Sequence, residues 1–117
     1  MTDSIKIFHN PRCSKSRATL ELLNSHDAAP QIIEYLKTPP TADDLENILN
    51  MLGLQPRQLM RQGEAEYKTL HLADETLSRE QLIAAMVTNP KLIERPIVIA
   101  NGKAAIGRPP ELVLEII

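Results

Sequence analysis

The sequence predicts an α/β fold, a mixed four-stranded sheet with helices packed on it. Three observations carry this. Residues 5–36 read strand, helix, strand, and residues 97–117 read strand, strand, helix. At 117 residues the chain fits one hydrophobic core rather than two, so both ends should enter one sheet. The expected organisation is a single domain over residues 1–117 with a helical insertion at about 41–89.

Ile5-Lys6-Ile7-Phe8-His9 alternates and is rich in β-formers, and Asn10-Pro11 stops it. From Ser14 the period becomes helical, with Ala18, Leu22 and Leu23 on the expected apolar stripe and Leu20 at its flank. The helix fades at Asn24-Ser25-His26-Asp27, and residues 31–36 read as the next strand. Two strands joined by a helix should be parallel with a right-handed crossover. Thr41 with Asp44, and Ser78 with Gln81, are spaced as capping boxes. They open helices whose apolar faces are Leu45, Ile48, Leu49 and Leu52, then Leu82, Ile83, Met86 and Val87. Between them, Pro56 can start a short helix through Met60, and a further helical piece runs from Glu64 to Leu70. Asn101-Gly102 between two β-rich runs, residues 97–100 and 103–106, is a hairpin signal, because a type I′ turn needs positive φ at both central residues. Pro110 opens a closing helix ending at Ile117.

Composition excludes several classes. With 43% hydrophobic and 24% charged residues, the chain is too apolar to be disordered. A net charge of −2 gives no reason to expect a nucleic-acid or membrane-surface partner. The longest apolar run, Leu82 to Val87, is too short to span a bilayer. Met1-Thr2-Asp3-Ser4 has no apolar leader character, and one cysteine excludes an internal disulfide, so a cytoplasmic location is expected. No metal is expected, since no two histidines share a helical turn.

The single cysteine, Cys13, falls where the first strand has ended and the first helix begins. Free N–H groups and the positive end of the helix dipole favour a thiolate there. Between Asp3 and Glu21 there is no acid, while Lys6, Arg12, Lys15 and Arg17 lie in that window. The same N–H groups, with the Ser14 and Ser16 hydroxyls, suit a phosphate-like oxyanion. Arg61, Arg95 and Arg108 stand at element ends where guanidinium forks could complete such a cradle. His9, four residues before Cys13, is either a structural strand-end residue or a group that tunes the thiol and orients Asn10. A buried structural cysteine is the competing reading of Cys13.

The run His9-Asn10-Pro11-Arg12-Cys13-Ser14-Lys15-Ser16-Arg17 resembles the active-site signature of the glutaredoxin- and glutathione-dependent arsenate reductase family. Glu34-Tyr35-Leu36-Lys37-Thr38-Pro39-Pro40, Glu94-Arg95-Pro96-Ile97-Val98 and Gly107-Arg108-Pro109-Pro110 resemble its other blocks, in the same order. The resemblance implies a thioredoxin-like sheet with a helical insertion. It implies Cys13 as nucleophile, Arg61, Arg95 and Arg108 as oxyanion-binding arginines, and Ser14 and Ser16 beside the substrate. His9, Asn10 and Arg17 would support the thiol, and Pro96 would be a cis-proline beside it. The implied reaction is arsenate to arsenite, with glutathione as co-substrate, a glutaredoxin as partner and no tightly bound cofactor. Ser14-Lys15 departs from the Gly-Thr typical of this signature, which places the chain nearer a sister branch. Two other readings stay open at this point: a thiol-dependent reductase with another substrate, and a regulator-like binding module without catalysis.

Overall fold

A computed structural model of the chain describes residues 5–117; residues 1–4, read above as lacking a leader, lie outside the described part. The fold comprises two compact units, residues 5–38 with 95–117, and residues 39–94. No helix among the described residues is long and apolar enough to cross a membrane.

The first unit holds the four-stranded sheet in the order β2-β1-β3-β4, with β1 at Lys6–Phe8, β2 at Gln31–Ile33, β3 at Ile97–Ala100 and β4 at Lys103–Ile106. β1 pairs parallel to β2, Ile7 opposite Ile32, and antiparallel to β3, Ile7 opposite Val98. β3 and β4 form the expected hairpin, and both turn residues have positive φ, 54° at Asn101 and 73° at Gly102. The central strands supply the buried Ile7 and Val98, which cluster with Leu23 of the first helix and Val113 near the C-terminus.

Three local expectations are corrected. β2 was expected over residues 31–36 but ends at Ile33, because the Glu34 carbonyl accepts from Lys37 and Thr38 N–H and turns the chain out of the ladder. The closing segment is a 3₁₀ helix, Pro110–Glu115, with i→i+3 bonds such as Leu112 N–H to Pro109. In the first helix, α1 (Ser14–Ser25), Ala18 is exposed, and the buried face is Ser16, Thr19 and Leu23. That face keeps helical spacing, but its first two positions are polar. Their hydroxyls are satisfied inside, so pattern reading on apolar residues alone passes them over.

The second unit is helical: α2 (Ala42–Leu52), α3 (Ala65–Thr69) and α4 (Arg79–Thr88), with 3₁₀ turns at Pro56–Leu59 and Pro90–Leu92. Both capping boxes form. Thr41 Oγ1 accepts from Asp44 N–H while Asp44 accepts from Thr41 N–H, and Ser78 with Gln81 does the same. Leu45, Ile48 and Leu49 from α2, and Leu82, Ile83 and Met86 from α4, are buried. Arg79 on α4 binds Glu46 on α2 through Nε and Nη2.

Candidate active site

Cys13 is the N-cap of α1, with extended backbone (φ −93°, ψ 124°), and the residue is half-buried. The loop that presents it is held by its own polar groups. Cys13 N–H donates to the Asn10 carbonyl at 3.0 Å, and Arg12 N–H donates to Asn10 Oδ1 at 3.0 Å. Asparagine thereby substitutes for backbone partners that a tight strand-to-helix turn cannot supply. No carboxylate lies in the first turn of α1.

Beneath the loop sits a buried triangle. Ser16 Oγ accepts the Asn10 N–H at 3.0 Å and lies 2.6 Å from His9 Nδ1. The hydroxyl has one proton and a second lone pair left for this contact, so the direction of the Ser16–His9 bond follows the tautomer of the imidazole. Burial pushes the His9 pKa below its ordinary value, against the upward pull of Glu34 and with help from Arg17. The Ser16 hydroxyl is fully buried, so what this residue offers the site is its backbone N–H. Arg17 is exposed and donates to the Pro11 carbonyl at 3.4 Å, and Ser14 is exposed at the first position of the helix.

Arg95 and Arg108, in the same unit as Cys13, both reach its thiol. Arg108 Nη2 approaches Cys13 Sγ at 3.8 Å, while its Nε donates to the Arg95 carbonyl at 2.8 Å. Burial pulls the thiol pKa upward, but the Ser16 N–H, the Arg95 guanidinium and the Lys15 N–H outweigh it, and the pKa falls below its ordinary value. The Arg95–Pro96 bond is cis and Pro96 is buried. Arg61 lies in the second unit, where Glu64 at 2.5 Å and Glu94 at 3.4 Å engage its guanidinium. No cluster of three or more His, Cys, Asp or Glu side chains fit for a metal exists among the described residues.

This thiol is therefore shifted toward its thiolate form, beside the Arg95 and Arg108 guanidiniums and the first N–H groups of α1. Such a group can attack an electrophilic centre that carries negative oxygens. The sequence pattern that defines the ArsC family matches residues 8–116. The chain belongs to the ArsC family. YfgD, an uncharacterized protein of Escherichia coli (strain K12), is 60% identical over all of this chain and 99% of its own. An arsenate reductase of Neisseria meningitidis serogroup A is 52% identical over 92% of each chain. The solved structure of an arsenate reductase from Vibrio cholerae superposes with a TM-score of 0.95, at 54% identity, over 97% of this chain and 98% of that one. The ArsC fold is thus the thioredoxin-like arrangement anticipated from the resemblance.

Two residues of this ArsC site carry no role in the sequence: Thr19 lies outside the blocks that resemble the family's, and Gly107 lies inside one without a part assigned to it. Thr19, fully buried, donates its hydroxyl to the Lys15 carbonyl at 2.8 Å and faces Gly107. Gly107 precedes Arg108 and donates its N–H to the Pro96 carbonyl at 2.9 Å. The available signal is a glycine directly before a candidate arginine, in the Gly107-Arg108-Pro109-Pro110 block.

Proposed function

We propose that the protein is a cytoplasmic arsenate reductase that works with glutathione and a glutaredoxin. The observation that supports this best is the Arg108 guanidinium standing 3.8 Å from the only sulfhydryl in the chain. Family membership and arsenate reductases at 52% and 47% identity support the same substrate class.

In this reading Arg95 and Arg108, with the N–H groups at the start of α1, receive the arsenate oxygens. Cys13 thiolate attacks arsenic, an oxygen leaves as water after taking up protons, and an S–As(V) bond forms. Reduction to arsenite needs two electrons, which two thiols supply as they become one disulfide. The chain has one cysteine, so the second thiol is external. Glutathione supplies it, and glutaredoxin reduces the resulting mixed disulfide to regenerate Cys13. Neutral His9 and Ser16 hold the loop rather than transfer protons to arsenate.

The test is arsenite formation with glutathione, glutaredoxin and NADPH, for wild type and Cys13→Ser. Turnover that needs Cys13 and stops without glutathione is expected. Wild-type turnover no higher than that of Cys13→Ser excludes arsenate as substrate.

A further inference from the structure

The segments that carry the two arginines are joined at their roots. Gly107 N–H donates to the Pro96 carbonyl at 2.9 Å, and Arg108 Nε donates to the Arg95 carbonyl at 2.8 Å. This two-point clasp ties the residues just before β3 to those just after β4. A close approach lies at its centre. A Cβ on Gly107 would stand 2.5 Å from Thr19 Oγ1, 2.8 Å from Pro96 Cγ and 3.1 Å from Thr19 Cγ2. All three fall inside the separation of about 3.5–4.0 Å at which carbon atoms pack favourably.

Neither wall can yield cheaply. Thr19 is β-branched, fully buried and anchored by its hydroxyl to Lys15. Pro96 is a buried ring closed onto its own backbone, which confines its Cγ to the small shifts of a change in ring pucker. Backbone conformation does not explain the glycine either, because the positive-φ glycines are Gly53 and Gly102. Space alone calls for glycine at 107.

We infer that Gly107 is a positioning residue for the Cys13 site: its missing side chain lets the chain pass between Thr19 and Pro96, and that passage seats Arg95 and Arg108 against the sulfur. The inference rests on Cys13 as the reactive group. It adds the element that keeps the cationic partners, carried by the 95–96 and 107–108 segments, in register with a nucleophile carried by α1. A methyl at 107 must push the arginine-bearing segment off α1 or off Pro96. Cys13, held by its own loop, stays behind.

The test uses the intact protein as wild type, Gly107→Ala, and Gly107→Ala with Thr19→Ala, each checked for folding by far-UV circular dichroism. Iodoacetamide alkylation of Cys13 is followed from about pH 5.5 to 9.5, which reads the thiolate titration directly. In Gly107→Ala the titration moves up by about one pH unit, and the rate at pH 7 falls roughly tenfold. Adding Thr19→Ala opens the α1 wall and restores most of the rate, which a general loss of structure would not allow. A folded Gly107→Ala with the wild-type titration overturns the inference, as does a double variant no faster than the single. If Gly107→Ala does not fold, Thr19→Val narrows the same passage from the other wall, with a roughly threefold slowing expected at pH 7. An unshifted titration in folded Thr19→Val overturns the inference equally. Alkylation needs no arsenate, so the expected pattern in a protein without arsenate turnover supports the positioning role while removing the arsenate reading.

Discussion

Arg108 Nη2 stands 3.8 Å from Cys13 Sγ although 95 residues separate the two in sequence. The cation arrives from beyond β4, the sulfur from the start of α1, and the sheet order that puts β1 beside β3 makes their meeting possible. A guanidinium so placed stabilises a thiolate and an incoming oxyanion alike.

Arg108→Gln keeps polarity and approximate length but removes the charge. A charge-assisted contact contributes about 1.5–3 kcal/mol, so Cys13 alkylation at pH 7 and arsenate kcat/KM should each fall at least about tenfold. Iodoacetamide kinetics and the coupled assay measure the two effects separately. Equal rates for variant and wild type in both would remove Arg108 from the site.

Ser16→Ala should cost stability more than chemistry. The hydroxyl joins Asn10 N–H to His9 Nδ1 inside the protein, and its loss leaves two buried polar groups without a partner. A destabilisation of about 1–3 kcal/mol is expected from urea unfolding. No change in unfolding midpoint would mean that the triangle does not hold the loop.

His9 gives a pH signature of defined sign. Its folded pKa lies below the ordinary value of 6.5, chiefly through burial, so the unfolded chain binds its proton first as pH falls. The stability linked to neutral His9 is present above the unfolded value and is lost as pH falls through the folded one. Wild type should therefore lose more stability between pH 7 and pH 5 than His9→Asn, whose amide can still hydrogen-bond Ser16 in either direction. Urea unfolding at both pH values checks this, and identical losses would contradict it.

The sequence made the fold legible where local chemistry carries it. Asn101-Gly102, Thr41 with Asp44, and Ser78 with Gln81 each fix a turn or cap through their own side chains, and each is found as read. The buried face of α1 was not legible, because Ser16 and Thr19 become inward-facing only through His9, Asn10 and Gly107 elsewhere in the chain. The end of β2 and the 3₁₀ character of the closing segment also escaped, since the same residues suit either outcome locally. At the site, Cys13 could be read from the helix start and the acid-free window around it. The approach of Arg108 needed the sheet order, and the role of Gly107 needed the distances to Thr19 and Pro96.

The most direct test of an oxyanion held beside the Cys13 thiolate is the alkylation rate of Cys13 at pH 7 with increasing arsenate. The account predicts saturable protection that disappears in Arg108→Gln. An alkylation rate in wild type that does not change with arsenate would contradict it.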